Sequence, residues 1–232
     1  DEGFDEDGDG ITVCGADGEL NTADDDCDDT VFGSTQSGAT INCPAAACKH
    51  ILDQGLSNGS GTYWLDPEQD GADVFQVWCE MDRAGGGWAL VGRVPATGCW
   101  FSYDTSSPNT GFADNYGTYQ PNPVSTDHFL RRRDDLTVDG QVMFAWGDWS
   151  KWVYGTEADF FGSHYSNSCR TFMSSSDDPG GGCYNWYNRS NHAEDPWIGV
   201  GHHSANILWA ESGHCNDVSD KQNHGGSTMW VR

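Results

Sequence analysis

The sequence predicts an α+β domain of short antiparallel strands, few short helices and long loops, stapled by disulfides. Three observations predict it. With 30 Gly against 8 Pro in 232 residues, the chain has many turns between short segments, which long helices would not need. Its apolar runs are short, rich in β-branched and aromatic residues, and near-alternating with polar positions, the period of half-buried strands. Nine cysteines exceed cytosolic usage and read as disulfides formed in an oxidising compartment, which places the chain as secreted or on the cell surface. A zinc cage would show paired knuckles, whereas Cys43 and Cys48 are the sole close pair. Nine is odd, so one cysteine remains after four pairs.

Charge divides the chain. It carries 36 acidic against 11 basic residues, a net charge of −25, which excludes nucleic acid and anionic membrane surfaces as ordinary partners because phosphate would be repelled. No apolar run approaches the ~18 residues needed to span a bilayer, so no membrane insertion is expected. Residues 1–33 hold 13 of the acidic side chains and no Lys or Arg. Within them Asp5, Asp7 and Asp9 alternate before Gly10, a D-x-D-x-D-G pattern. Calcium takes about 6–8 oxygen ligands; alternate carboxylates on a tight loop deliver three to one point, and the glycine permits the turn. The twelfth loop position is Ala16 where an EF-hand carries Glu. A second cluster, Asp24, Asp25, Asp26, Asp28 and Asp29, supplies further oxygens, with Cys14 and Cys27 placed to clamp the halves. A solvated acidic tail is the alternative.

The elements follow in order. Residues 1–33 form the acidic calcium-binding segment and 34–42 a small, polar linker. From 43 to 232 runs one domain. Cys48-Lys49-His50-Ile51-Leu52 is a short helical turn. Tyr63-Trp64-Leu65, Val74 to Cys79 and Trp88 to Arg93 are three strands of an antiparallel meander, the third introduced by Gly85-Gly86-Gly87. Residues 98–125 are loop-like. Residues 140–155 read as one strand with aromatics on both faces. Short strands close the chain at Trp197 to Val200, Asn206 to Trp209 and Thr228 to Val231.

The stretch from Cys48 to Arg93 reads C-K-H-I-L-D-Q-G, then G-x-Y-W-L-D-P, then F-Q-V-W-C-E-M-D-x-x-G-G-G-W-x-L-V-G-R. It resembles the opening of fibrinogen-like domains over about 45 residues, and the resemblance implies a Cys48–Cys79 disulfide. Downstream the chain is more similar to intelectins, calcium-dependent lectins that share this opening. Cys99 follows the third strand, and His202-His203 precedes Glu211-Ser212 and Cys215-x-Asp217, similar to the intelectin calcium and sugar stretch. The acidic segment resembles the D-x-D-x-D-G calcium repeats of thrombospondin-type and related bacterial surface proteins.

The intelectin resemblance implies a Cys99–Cys215 bridge, and a late fibrinogen-domain disulfide of similar spacing implies Cys169–Cys183. Cys43 is left over where intelectins carry a subunit-joining cysteine, so it is expected to form an intermolecular bridge in a homo-oligomer. The resemblance also implies a non-enzymatic protein with calcium as its cofactor and glycans bearing exocyclic or vicinal diols as partners. Glu211 would bind ion and diol, Asp217 the ion, and His202 or His203 a sugar hydroxyl. His202 and Asn206 are further candidate ion ligands, Asn206 on chemistry alone. A calcium ion with two open positions takes two vicinal hydroxyls as ligands, and neighbouring carboxylate and imidazole groups manage their protons. Trp209 offers a stacking face for sugar C–H groups, and Tyr184, Trp186 and Tyr187 could line a cleft. The chain departs from intelectins at Gly201, which stands where they carry an acidic residue. After Cys215 it has Trp230 as its sole aromatic, expected in the closing strand.

Two other functions are open at this point. A structural or adhesive protein would use the fold for protein contacts. A zinc hydrolase would use His202, His203, Glu211 and His214, but their spacing is not the one-turn H-E-x-x-H arrangement. Arg131-Arg132-Arg133, followed by Asp134-Asp135, reads as a self-neutralised face. Asn58-Gly59-Ser60 and Asn188-Arg189-Ser190 are N-glycosylation sequons, meaningful only in a eukaryotic secretory pathway.

Overall fold

In the first of two units, a six-residue helix, α1 (Cys48–Asp53), buries Cys48 and Ile51, three positions apart on one face. Its N-cap, Ala47, makes no side-chain capping bond. The C-terminus is closed by a Schellman motif: Leu56 N–H donates to Ile51 O at 3.0 Å and Gly55 N–H to Leu52 O at 3.0 Å. Gly55 sits at φ +74, the left-handed conformation this cap requires. An ion pair joins Lys49 to Asp53 along the exposed face.

These features come from a computed structural model that describes residues 8, 10, 41, 43–68, 74–94, 118–124, 129–130, 136, 138–150, 152–156, 166–170, 173–174, 184–189, 192–200, 207–209 and 225–232. The chain divides into two compact units, Asp1–Ala89 and Leu90–Arg232. The division falls inside the 43–232 span that the sequence assigns to one domain.

In the first unit, β1 (Gly61–Leu65) and β2 (Phe75–Glu80) pair antiparallel with Gly61 opposite Cys79 and Leu65 opposite Phe75. Tyr63, Leu65, Val77 and Cys79 are buried while Thr62 and Gln76 are exposed, the period-two division of a half-buried sheet. Ala45 forms an isolated parallel bridge to Leu65. Strand β3 (Trp88–Val94) starts in this unit, with Ala89 opposite Cys79 and Trp88 opposite Glu80. The expected meander is present. So is the expected Cys48–Cys79 disulfide, with Cα atoms 5.5 Å apart.

The link from β2 to β3 explains the glycine triplet. Four consecutive residues have positive φ: Ala84 (50), Gly85 (84), Gly86 (71) and Gly87 (75). A left-handed run of that length is open to glycine at little cost and to other residues at ~1–2 kcal/mol each. Gly86 and Gly87 also have no room for a side chain. A Cβ on Gly86 would lie 2.2 Å from Met81 O, and one on Gly87 2.9 Å from Lys49 Cα. Trp88 then turns its indole back, donating Nε1–H to Ala84 O at 3.2 Å, and is fully buried.

Cys43 corrects an expectation. It is 0% exposed and is itself disulfide-bonded within this single chain. A buried, already bonded sulfur is not available to bridge two subunits, so the left-over cysteine is a different one.

The second unit contains β4 (Phe129–Leu130), β5 (Gln141–Trp146), β6 (Trp152–Thr156), β7 (Ser166–Arg170), β8 (Met173–Ser174), β9 (Tyr184–Arg189), β10 (His192–Val200), β11 (Ile207–Trp209) and β12 (Ser227–Val231). From β3 the ladder runs β3-β12-β5-β6-β8, with β4 also on β3, and a second sheet has the order β11-β10-β9-β7. The pairs β1–β2, β2–β3, β3–β4, β5–β12, β5–β6, β6–β8, β7–β9, β9–β10 and β10–β11 are antiparallel. The last strand is central and buried along its whole length. Register places Val231 and Met229 beside Val142 and Phe144 on one face. Trp230 lies on the other face, its Nε1–H donating to Thr228 Oγ1 at 2.8 Å. Trp230 thus closes the fold from inside the last strand, as expected. Burying Trp230, Phe129 and Phe144 contributes roughly 1.5–3 kcal/mol each.

Residues 140–155 form a hairpin, not one strand. Asp148 Oδ1 accepts from Ser150 N–H at 2.9 Å and Ser150 Oγ–H at 2.6 Å, an Asx-type turn that reverses the chain. Trp149, at φ +62, donates its N–H to Trp146 O at 3.0 Å and rests its ring 5.0 Å from that of Trp230. That ring contact holds a non-glycine residue in a conformation it otherwise avoids. On β6, Trp152 stacks on Tyr154 at 5.9 Å, and the Arg232 guanidinium lies 5.7 Å above the Tyr154 ring. Strand β10 begins five residues before Trp197, and its register shifts between His192 and Trp197, where Pro196 cannot donate to the ladder.

Among the described residues no helix is long and apolar enough to cross a membrane.

Candidate functional site

The densest polar constellation with described side chains lies where β2 ends. Glu80, the last residue of β2, is 1% exposed. Its Oε1 accepts from Ser60 Oγ–H at 2.7 Å, Asp82 N–H at 3.1 Å and Arg83 N–H at 3.1 Å. Its Oε2 accepts from Arg83 Nη1–H at 2.9 Å. Ser60 Oγ accepts from Met81 N–H at 2.9 Å and also lies 2.8 Å from Asp82 Oδ2. The serine has one proton for two carboxylates, so its hydroxyl bridges them by donating to one at a time or to both weakly. The chemistry is that of a turn lock: a buried carboxylate gathers the backbone N–H groups that β2 releases, immediately before the left-handed glycine run.

Removing that carboxylate strands its donors, since a buried N–H without an acceptor forfeits its solvation. Glu80→Ala is therefore expected to lower unfolding stability by about 2–3 kcal/mol, read as a shift of the urea midpoint. Asp82→Ala, at an exposed position, should change it by less than about 0.5 kcal/mol. Equal effects at the two positions would show that the buried carboxylate is not what holds the turn.

Among the described residues of the second unit, one guanidinium is buried. Arg93 is 4% exposed on β3 and donates to Pro123 O and, at 3.0 Å, to Gly225 O. Burial lowers its pKa to about 10, which leaves it charged at neutral pH. It holds the carbonyl that precedes β12 to a loop carbonyl about a hundred positions earlier. Tyr119 Oη–H, from the same loop, donates to Leu90 O at 2.8 Å.

The residues that the sequence singled out for calcium and sugar fall mostly outside this frame. Glu211, Asp217, His202, His203 and Asn206 lie outside the described residues, as do Asp5, Asp7 and Asp9. Trp209 ends β11, with its backbone opposite Ile198 of β10. Tyr184, Trp186 and Tyr187 lie on β9. Of the expected disulfide cysteines, Cys14, Cys27, Cys99, Cys183 and Cys215 lie outside the described residues, and Cys169 is on β7. Among the described residues no group of three or more His, Cys, Asp or Glu side chains could hold a metal ion. Within the D-x-D-x-D-G pattern, Gly8 and Gly10 are exposed and have φ of +78 and +91, the left-handed region that glycine enters freely.

No family model matches the chain. Several solved structures resemble it, two of fibrinogen type among them. One is the lamprey fibrin D-dimer in complex with the peptide Gly-His-Arg-Pro-amide, at 18% identity and a TM-score of 0.32, covering 58% of this chain. This chain spans 45% of that lamprey chain, under half its length. The other is the fibrinogen-like globe domain of human ANGPTL6, at 14% identity and a TM-score of 0.36, covering 82% of this chain and 95% of that one.

Two structurally important residues were missed from the sequence. Glu80 follows directly on Cys79 at the end of an apolar strand, and a carboxylate placed where a strand yields to a glycine run was a usable signal. Arg93 gave none: a basic residue closing a strand reads as solvated, and its burial depends on loop carbonyls that no local pattern reveals.

Proposed function

We propose that the chain is a secreted or cell-surface calcium-dependent lectin with a fibrinogen-like, intelectin-like domain, and that it binds a terminal glycan diol. One observation carries the fibrinogen-like reading. The 31-residue separation between Cys48 and Cys79 is closed by a disulfide, and the glycine triplet that follows is sterically obligatory at Gly86 and Gly87. The motif's elements thus act as one mechanical unit. The bound ion would supply two open coordination positions to sugar hydroxyls. Glu211 and Asp217 are its proposed ligands in the domain, with His202 and Asn206 completing the oxygen and nitrogen donors. Trp209 gives the sugar an apolar face. Asp5, Asp7 and Asp9 hold a separate, structural calcium, supported by the left-handed Gly8 and Gly10. A homo-oligomer would add avidity to weak single sites.

The test is retention of the purified chain on immobilised glycans in calcium and in excess chelator, with an array to find the sugar. Chelator is expected to abolish retention. Glu211→Gln should weaken it at least tenfold, ~1.4 kcal/mol or more, with an unchanged circular dichroism spectrum. Undiminished retention in chelator, or a fully active Glu211→Gln, would overturn the mechanism.

A further inference from the structure

The loop that enters β1 carries the sequon Asn58-Gly59-Ser60, and its folded geometry bears on when that sequon can be used. Asn58 is exposed. The rest of the loop is fastened. Gly59 N–H donates to Ser57 Oγ at 3.1 Å, and Gly59 has φ +96. Asn58 N–H donates to Tyr63 Oη at 3.0 Å, and Tyr63 Oη–H returns to Gly59 O at 2.7 Å. The sequon hydroxyl is consumed altogether: Ser60 Oγ takes the Met81 N–H and faces both Glu80 Oε1 and Asp82 Oδ2.

We propose that Asn58 is an N-glycan acceptor modified only before β2 pairs with β1, after which the fold itself closes the sequon. In the step, Asn58 Nδ2 bonds to the anomeric carbon of an oligosaccharide carried on a lipid pyrophosphate. The anomeric C–O bond breaks, the lipid pyrophosphate leaves with the bonding pair, and the amide nitrogen gives up one proton; nothing is oxidised or reduced. A transferase that reads Asn and Ser two residues apart needs a free hydroxyl and an extended backbone, and the folded loop offers neither. Synthesis order supplies the opening. Glu80 and Asp82 follow Ser60 by 20 and 22 positions, about 1–4 s of chain growth. During that interval the hydroxyl has none of its three partners. Once attached, the glycan projects from an exposed side chain and leaves every bond of the loop in place, because the bonds above use the Asn58 backbone N–H and not its side-chain amide.

The inference rests on the extracellular reading but not on lectin activity, so the two fail separately. The full chain is secreted from cultured eukaryotic cells, and the peptide containing Asn58 is examined by mass spectrometry before and after an N-glycan-removing amidase. Wild type is expected to carry a glycan at Asn58, and Asn58→Gln to lose it. In a second arm, folded unmodified protein from cells whose lipid-linked donor is blocked is offered to purified transferase with that donor. It is expected to be modified at least about tenfold more slowly than the same chain reduced and unfolded, the factor for opening one strong hydrogen bond. An unmodified Asn58 in secreted wild type overturns the assignment; equal rates for folded and unfolded chain overturn the timing.

Discussion

Gly86→Ala is expected to lower the unfolding free energy by about 3–4 kcal/mol, through left-handed strain together with overpacking. The two causes are separable within this chain. At Gly86 the added methyl would stand 2.2 Å from the Met81 carbonyl oxygen and 2.8 Å from Leu52 Cδ2. The leucine tip can move, but the carbonyl belongs to the backbone turn that Glu80 locks, so the clash is relieved only by breaking that turn. At Gly55 φ is +74 and nothing lies within 4 Å of the same methyl, so Gly55→Ala feels the strain alone, about 1 kcal/mol. Urea denaturation of both variants, compared at equal m-value, isolates the contact. Equal penalties at the two positions would mean that the triplet is kept for conformation only and that the Met81 approach carries no weight. For a domain whose total stability is about 5–15 kcal/mol, the difference decides whether the variant can be purified.

The legibility of the fold follows the range of the interactions involved. The meander was readable because its signals are local: Tyr63 and Leu65 alternate with Thr62 and Trp64, and the glycine triplet marks the only route by which a left-handed run can reach Trp88. The closing strand was readable from Thr228 to Val231, but its central place in the sheet was not, since strand order depends on pairing partners far along the chain. Two features resisted. Residues 140–155 look like one strand because Trp146, Trp149 and Trp152 carry aromatics across the turn, although Gly147, Asp148 and Ser150 are turn residues that announce the reversal. The pairing state of Cys43 was unreadable because cysteine partners are chosen by space, and nothing local to Cys43 distinguishes a bonded sulfur from a linker thiol. The same limit applies to the calcium and sugar residues. Glu211, Asp217 and the histidines were chosen by order along the chain and by family likeness, and order fixes no geometry. Glu80 and Arg93 were missed for the complementary reason: each is a charge whose role is set by burial, and burial is not a sequence property.

Replacing both Cys48 and Cys79 by alanine is expected to cost about 3–4 kcal/mol, the chain-entropy value for releasing a loop of this length. The bridge spans 31 positions, and both sulfurs are buried, at 1% and 0% exposure, so the alanines also leave a small void. A more specific consequence concerns α1. The helix begins at Cys48, and the residue after it, Lys49, is the one whose Cα and Cδ would meet a methyl on Gly87 at 2.9 Å. With the disulfide intact, α1 is tethered to β2 and cannot retreat, so Gly87→Ala meets a fixed wall. Without it, α1 keeps Ile51 packing, and only the chain leading into it stays fastened, by the Cys43 disulfide and the Ala45 bridge; its ion pair sits on the exposed side, which adds little. The helix can then move away by a few tenths of an ångström. The penalty of Gly87→Ala should therefore shrink by about 1 kcal/mol in the alanine background, a coupling of the size found between contacting residues. Four urea titrations close the cycle. Additivity within about 0.3–0.5 kcal/mol would show that packing, and not the disulfide, fixes the distance between helix and glycine turn.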